Sequence, residues 1–113
     1  MNPQIKQKWV SALRSGEYQQ TKGFLRKEDG FCCLGVLCDL YGKENNVEWE
    51  PLTQYKNAYV FQYKVADLPP SVVEWAGVED SNPYVNGGIG TLSGLNDRGS
   101  TFEQIAYVIE EHL

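Results

Sequence analysis

Three cysteines in one apolar segment are the residues of this chain with the most reactive side chains. The segment "GFCCLGVLCDLYG", residues 30–42, contains every cysteine of the chain: Cys32, Cys33 and Cys38. A thiol can act as a nucleophile, bind a metal ion, form a disulfide or pack as a small apolar side chain. These roles make different demands on the neighbouring residues, so the rest of the sequence helps to distinguish between them.

The number and spacing of the cysteines disfavour a zinc site and a disulfide. A structural zinc site takes about four Cys, His or acidic ligands. Cys32 and Cys33 are adjacent, however, and the only histidine is His112. The cysteine count is odd, and the N-terminal "MNPQIKQKWVSALRSG" lacks the apolar core of a signal peptide. We therefore expect a cytoplasmic protein with reduced thiols, no metal site and no cofactor.

A cysteine hydrolase with Cys32 as its nucleophile is an alternative. Papain-like enzymes place the catalytic cysteine at the start of a central helix, where the helix dipole stabilises the thiolate. The reaction also needs a positioned base, and His112 is the penultimate residue of the sequence. Because free cysteine packs well in protein interiors, the favoured interpretation is that the cysteines form core and that the protein is not an enzyme.

The charge of the chain is unevenly distributed, which restricts its partners. Ten Lys/Arg and fifteen Asp/Glu residues give a net charge of −5. Residues 1–27 carry six basic residues and one acidic residue, and the remainder carries four basic and fourteen acidic residues. Binding to duplex nucleic acid depends on Lys and Arg neutralising phosphates, so this acidic chain is a poor candidate for it. The basic third could hold one small anion or fold back on the acidic remainder.

Periodicity and capping residues predict four helices. The first begins after Asn2 and ends near Gly16, and the apolar cysteine segment forms a second, central helix that ends near Gly42. Prolines open a third, short helix in "DLPPSVVEWAG". The last helix follows a predicted capping box of Ser100 and Glu103.

The remaining segments predict strands and loops. "NNVEWEPL" is typical of an edge strand ended by Pro51, and the alternation in "NAYVFQYKV" predicts the longest strand. A polar arm, "EYQQTKGFLRKEDG", follows the first helix and turns at Asp29 and Gly30. The segment "VEDSNPYVNGGIGTLSGLNDRG" predicts a long loop with one short strand around Ile89–Leu92, and it lacks the end of a phosphate-binding P-loop.

Together these elements predict an α+β fold in which residues 1–113 form a single compact domain. About four helices pack on a small, mainly antiparallel sheet, and the cysteine helix lies at the centre, where Gly35 allows another segment to approach closely. No apolar run reaches the ~20 residues of a membrane span, so no membrane partner is expected. The predicted core consists of Trp9, Leu13, Cys33, Leu37, Phe61, Val72, Trp75, Phe102, Ile105 and Ile109.

Two polar segments form the predicted ligand site, although the sequence alone does not place them in contact. Alternate residues of the arm point to one side, so its basic groups could hold a phosphate while Tyr18 stacks on a ring and Gln20 bonds to a base or sugar. The loop before the last helix would close the pocket, with Asp97 accepting from a sugar hydroxyl or a base amino group. The predicted ligand-binding residues are Arg14, Tyr18, Gln20, Lys22, Arg26, Asn96, Asp97 and Arg98.

Four stretches carry a similarity to a known group of proteins: "KWVSALRSGEYQQTKGFLR", "CCLGVLCDLY", "LPPSVVEWAGVEDSNP" and "LNDRGSTFEQIA". They resemble a family of small, largely uncharacterised proteins encoded by bacteriophages and prophages. The resemblance covers most of the chain and is weakest in residues 43–63. It implies a phage accessory protein of the anti-defence type in the cytoplasm of the host bacterium. It carries no assigned site residues over to this chain.

Three functions are hypotheses at this point. The first is a phage accessory protein that sequesters a small anionic, nucleotide-like ligand without chemistry. Its support is the basic N-terminal third and the surplus of Tyr and Trp. The second is a protein inhibitor of a host defence factor, and the third is the hydrolase with Cys32. A homodimer would offer room for a pocket at a two-fold interface, because 113 residues leave little depth within one domain.

Overall fold

Helices frame the fold, and short antiparallel strand pairs connect them. The computed structural model describes residues 1–55, 57–85 and 90–113. In chain order these residues form α1 (Pro3–Arg14), β1 (Arg26–Lys27), β2 (Gly30–Phe31), α2 (Cys33–Asn45), β3 (Glu50–Pro51), β4 (Tyr59–Val60), α3 (Pro70–Ala76), β5 (Tyr84–Val85), β6 (Gly90–Thr91), α4 (Leu92–Asp97) and α5 (Phe102–His112). Strands β1 and β2, β3 and β4, and β5 and β6 pair antiparallel. The α+β class is confirmed.

The first and last helices pack against each other, and the cap of the first helix was predicted correctly. The Asn2 side chain accepts hydrogen bonds from the amides of Gln4 and Ile5, as predicted. The capping box of α5 consists of Thr101 and Gln104, so the prediction of Ser100 and Glu103 was wrong by one residue. The physical reason is that the amide of Ser100 donates to the carbonyl of Leu95 at 3.0 Å and thereby belongs to the end of α4.

The cysteine segment is the central helix, as its composition predicts. Residues 33–38 of α2 are all buried, and the three cysteines are free thiols within the hydrophobic core. The helix runs three residues beyond Gly42, where a stop was predicted. It ends at Asn46, whose left-handed backbone (φ 59°) lets its amide bond to the carbonyl of Gly42. Gly42 is needed inside the helix because an added Cβ would lie 2.5 Å from the carbonyl oxygen of Val47.

The core forms around α2 and contains nearly all of the predicted residues. Trp9 is fully buried, and its indole Nε1 donates to the carbonyl of Cys33 at 2.9 Å, which joins α1 to α2. Trp75 is the exception, because it is half-buried and packs edge-on against Tyr41 with 5.3 Å between ring centroids. The other nine predicted core residues are buried.

The longest predicted strand was wrong in its C-terminal half. Only Tyr59–Val60 pair as a strand, and the chain then reverses through Gln62 and Tyr63, which both have positive φ (47° and 70°). Phe61 and Lys64 flank this turn and exchange both backbone hydrogen bonds. The alternating pattern hides the turn because hairpin turns of this kind usually carry Asn or Gly, and this one carries neither.

The strand predicted for "NNVEWEPL" is also shorter than expected, since only Glu50–Pro51 pair. Within the long predicted loop, the short strand is present at Gly90–Thr91, whereas Ile89 and residues 86–88 of the glycine-rich stretch lie outside the described residues. Helix α4 was not predicted, so the described chain has five helices. None of the described helices is both long and apolar enough to cross a bilayer.

Replacing Tyr63 by glycine should stabilise the fold by about 0.5–1 kcal/mol, because a left-handed backbone is strained for a residue with a Cβ. The Tyr63 side chain is 96% exposed, so little packing is lost. Urea unfolding of Tyr63→Gly and of a matched Tyr63→Ala variant measures the effect, and only the glycine variant should gain. A glycine variant less stable than the alanine variant would contradict the strain.

Candidate functional site

The two polar segments predicted to form a site contact each other in the structure. The Gln20 side-chain amide donates to Asn96 Oδ1 at 2.9 Å and to the carbonyl of Ser100 at 2.8 Å. The amide of Gly23 donates to Asp97 Oδ1 at 3.2 Å. The arm and the segment before α5 are therefore in contact. The sequence alone did not decide this point.

Asn96 is the centre of this contact and is fully buried. Its Oδ1 also accepts from the amide of Cys33 at 3.2 Å, and its Nδ2 donates to the carbonyl of Thr21 at 2.8 Å and to Asp97 Oδ1 at 3.2 Å. One side chain thus joins the arm, the start of α2 and α4. Because its hydrogen-bonding groups are used within the chain, we assign Asn96 a structural role.

Asn96→Ala should lower the free energy of unfolding by about 2–3 kcal/mol, because it leaves the amide of Cys33 and the carbonyl of Thr21 buried without this partner. Urea unfolding measures the loss. Asn45→Ala is the matched control, since the Asn45 amide bonds to the carbonyl of Tyr41 at an exposed position and should matter little. Equal losses in the two variants would contradict the assignment.

Arg14, another residue predicted for this site, is engaged by carboxylates of α5. Arg14 makes a bidentate pair with Glu110 on α5, at 3.1 and 3.2 Å, and its Nε lies 3.4 Å from Glu103. This hydrogen-bonded pairing holds the pKa of Glu110 below its usual value. Lys22 is exposed, and Arg98 is the C-terminal cap residue of α4. The predicted site therefore divides into a buried polar contact around Asn96 and separate surface groups.

The cysteines lack the environment of a nucleophile. Cys32 is the N-cap residue of α2, and its Sγ accepts from the amide of Gly35 at 3.4 Å, but burial raises the pKa of its thiol to about 11. Burial also raises the pKa of Cys33 and of Cys38. His112 lines a different groove, next to the chain termini. The described geometry favours core packing: His112 lies elsewhere, and the titratable side chain that lines a small cavity with Cys32 is the Asp97 carboxylate.

Arg26 lies at a candidate binding site among three aromatic rings. Its guanidinium carbon lies 4.6 Å from the ring centroid of Tyr59, 4.9 Å from that of Phe31 and 5.5 Å from that of Trp49. The side chain is half-buried, and within residues 1–55, 57–85 and 90–113 it makes neither an ion pair nor a hydrogen bond. An arginine held against three rings with free N–H groups is suited to binding an anion.

Short strands bring these rings to Arg26. Arg26 in β1 lies directly opposite Phe31 in β2, and Tyr59 begins β4. Trp49 precedes β3, which pairs with β4. The sequence predicted Arg26 as a ligand-binding residue but did not predict the rings beside it, because they come from three separate segments. The polar surroundings of Trp49 were the available signal.

The Asp39 carboxylate fixes the position of Trp49, one of the rings beside Arg26. Asp39 accepts hydrogen bonds from the Tyr18 hydroxyl at 2.6 Å and from Trp49 Nε1 at 3.0 Å, and Lys43 Nζ lies 3.3 Å from it. Trp49 also packs against Phe61, with ring centroids 4.9 Å apart. These contacts hold the indole in place before any ligand arrives, which lowers the cost of binding.

The groove beside Arg26 has a volume of about 850 Å³, within the range of about 300–1,000 Å³ that is typical of ligand pockets. It is shallow and largely open to solvent. Its positive groups are Arg26 and Lys43, of which Lys43 already neutralises Asp39. The described lining residues are Arg26, Asp39, Gly42, Lys43, Asn46, Val47, Glu48, Trp49, Glu50 and Tyr59.

Comparison with known proteins places the chain in a family. A family model described as Domain of unknown function (DUF8296) matches residues 1–113. The chain belongs to the DUF8296 family. Neither the curated proteins nor the solved structures contain a match to it. In the described part of the DUF8296 chain, no three His, Cys, Asp or Glu side chains are arranged to hold a metal ion.

The stability of the DUF8296 chain should fall as the pH rises from 10 to about 12 because of Tyr18. Burial, followed by the hydrogen bond to Asp39, raises the pKa of Tyr18 from 10.0 to about 12. The unfolded chain releases this proton first, so the stabilisation present below pH 10 is lost across that window. Urea unfolding at several pH values measures it. Tyr18→Phe should flatten the decline and Tyr63→Phe should not, and parallel curves for parent and Tyr18→Phe would contradict the argument.

Proposed function

We propose that the chain binds a small anionic, nucleotide-like ligand in the groove around Arg26 and retains it without chemical change. The observation that carries the proposal is the Arg26 guanidinium, which is held against three aromatic rings without a carboxylate or hydrogen-bond partner among the described residues. Arginine presents five N–H donors in a planar fork that matches a phosphate. A phosphate would supply the acceptors that the protein itself does not.

The walls of the groove support a ligand that carries a flat ring next to its anionic group. Trp49 and Tyr59 both line the groove and are half-buried, so each leaves part of its ring accessible. Stacking of a base on an aromatic side chain contributes about 1–3 kcal/mol. Lys43 is paired with Asp39, so Arg26 is the cation of the described groove lining that is left to meet the anionic group. A nucleotide combines the two chemical features that these groups favour.

The environment of the three thiols supports binding of the ligand without a chemical step. Cys32, Cys33 and Cys38 lie in the core with raised pKa values, and none of them lines the groove. The groups facing the ligand are instead suited to hydrogen bonding, ion pairing and stacking. Sequestration therefore requires fewer assumptions than hydrolysis.

The biological setting of the proposal comes from the sequence resemblance to phage proteins. A phage protein that retains a nucleotide signal lowers the free concentration of that signal in the host cytoplasm. Such an effect would weaken a host defence that depends on the signal. A phage anti-defence role is thus the setting in which a binding protein without chemistry has a clear effect.

Isothermal titration calorimetry with purified protein tests the proposal. The panel contains nucleoside 5′-monophosphates, the corresponding nucleosides and inorganic phosphate. We expect at least one nucleotide to bind with one site per chain and to bind more tightly than its nucleoside. After denaturation of the complex, chromatography should recover the nucleotide intact. No binding by any nucleotide would refute the proposal, and recovery of an altered nucleotide would replace sequestration with catalysis.

Inhibition of a host defence protein is a second candidate, favoured by Tyr63. The ring is 96% exposed at the end of a tight turn, and tyrosine is common among residues that dominate protein interfaces. A pull-down from host lysate with the parent and the Tyr63→Gly variant tests this candidate. A defence protein retained by the parent and lost by the variant would support it, and equal retention would exclude Tyr63 from the interface.

A further inference from the structure

Two carboxylates lie on the rim of the groove beside Trp49. Glu48 and Glu50 both line the groove, and both are exposed. Neither forms an ion pair within the described residues. Strand β3 pairs Glu50 with Val60, which is the neighbour of Tyr59 along β4. The groove is therefore lined by two exposed acceptor groups as well as by the rings that the proposed function assigns to a base.

These carboxylates restrict the ligand further. A polyanion placed across the groove would meet Glu48 and Glu50 and would be repelled by them. A ligand whose single phosphate lies at Arg26, and whose other end donates hydrogen bonds, satisfies both ends of the groove. An ionised carboxylate only accepts hydrogen bonds, and it offers two oxygens side by side.

We propose that the groove selects guanine over adenine and cytosine, an inference that rests on the proposed function. Guanine presents two adjacent donors on one edge, the N1–H group and the 2-amino group, which match the two oxygens of one carboxylate. Adenine places its amino group beside the acceptor N1, and cytosine places its amino group beside the acceptor N3. In both of these bases a carboxylate meets one donor and one acceptor, so the second contact is repulsive.

The purine ring would stack on the accessible part of Trp49, between the phosphate at Arg26 and a carboxylate at the rim. Trp49 is held by its hydrogen bond to Asp39, so its ring has a defined position in the groove that Glu48 and Glu50 also line. Asp39 itself does not contact the base in this proposal, because its oxygens already accept hydrogen bonds from Tyr18 and Trp49 and pair with Lys43. Guanine recognition is therefore assigned to Glu48 or Glu50.

Calorimetric titrations with guanosine, inosine and adenosine 5′-monophosphates test this inference. Inosine keeps the N1–H donor and lacks the 2-amino group, so it is the matched ligand control. We expect the guanine nucleotide to bind at least tenfold more tightly than the adenine nucleotide, with the inosine nucleotide between them. Equal affinities for the guanine and adenine nucleotides would overturn the selectivity and leave the proposed function intact. Failure of all three, and of the other nucleotides, would overturn both.

Substitutions of Glu48 and Glu50 identify which carboxylate contacts the base. Glu48→Gln or Glu50→Gln, whichever carboxylate reads the base, should lower the affinity for the guanine nucleotide at least tenfold without weakening the adenine nucleotide. Glu44→Gln, an exposed residue of α2 outside the groove, is the matched control and should change neither affinity. If both rim variants bind the guanine nucleotide as tightly as the parent, the assignment to these carboxylates is wrong.

Discussion

Gly35→Ala should abolish cooperative folding or leave the protein with only a small part of its stability. An added Cβ at Gly35 would lie 1.8 Å from the carbonyl oxygen of Leu25 and 2.7 Å from its carbonyl carbon. Real Cβ atoms do not approach backbone atoms this closely, so either α2 or the segment at Leu25 would have to move. A shift of either element disturbs the centre of the fold.

A displacement of the segment at Leu25 costs much free energy. Leu25 is fully buried, its amide donates to the carbonyl of Val65 at 2.7 Å, and its carbonyl accepts from the amide of Cys32 at 3.0 Å. Displacing it breaks both hydrogen bonds and opens the core around α2. The clash therefore costs more than the removal of a single core side chain.

Circular dichroism and urea unfolding measure this effect, with Leu34→Ala as the reference. Leu34 is the fully buried neighbour of Gly35, and its truncation creates a cavity without a clash, at a cost of about 2–5 kcal/mol. Gly35→Ala should lose more stability than Leu34→Ala. A Gly35→Ala protein that unfolds cooperatively with nearly the stability of the parent would show that the approach of Leu25 is not as close as described.

Arg26→Ala should weaken nucleotide binding about a hundredfold, which corresponds to about 2.7 kcal/mol. The guanidinium would supply charge-assisted hydrogen bonds to the phosphate, and such bonds commonly contribute about 1.5–3 kcal/mol each. Arg26→Lys keeps the charge and loses the planar fork, so its affinity should lie between those of the parent and Arg26→Ala. Calorimetry at low and moderate salt measures all three proteins.

Two further variants distinguish loss of binding from other causes. Arg26→Met keeps an apolar stem against the rings, so it should bind as weakly as Arg26→Ala even if Arg26→Ala is less stable. Lys8→Ala removes one positive charge at an exposed position of α1 and should bind like the parent. If Arg26→Met retains the affinity of the parent, the phosphate does not lie at Arg26.

Arg14→Ala tests the location that the sequence first suggested. Arg14 is paired with Glu110 and Glu103 in the structure, so its removal should leave nucleotide affinity close to that of the parent. A tenfold or larger loss of affinity would show that the phosphate binds at the end of α1 instead. The comparison of Arg14→Ala with Arg26→Ala therefore separates the two sites.

Four of the five described helices and the core could be predicted because their signals are local. The unbroken apolar run from Phe31 to Cys38 permits burial on every side, and Gly35 within it indicates a close approach before the approaching segment is known. The i, i+4 spacing of Ile5, Trp9 and Leu13 likewise predicts one buried face. Such patterns depend on neighbouring residues alone.

The candidate site could be predicted only in part because its partners are distant in sequence. Nothing near Arg26 indicates that Trp49 and Tyr59 will lie against its guanidinium. The turn at Gln62 and Tyr63 adopts a backbone that neither residue favours, so propensity predicted a strand there. Asn96 looked like a surface loop residue, and its burial follows only from helix α4 and the arm that covers it.

The most direct test of binding at Arg26 is a titration followed in ¹H–¹⁵N NMR spectra, in which three tryptophan indole groups act as internal probes. Trp49 Nε1 lies at the groove and donates a hydrogen bond to Asp39. Trp9 Nε1 is buried and donates to the carbonyl of Cys33. With guanosine 5′-monophosphate, the indole signal of Trp49 should shift and saturate with one site per chain, while that of Trp9 stays in place. A saturating titration that leaves the Trp49 signal unmoved would contradict a nucleotide site in this groove.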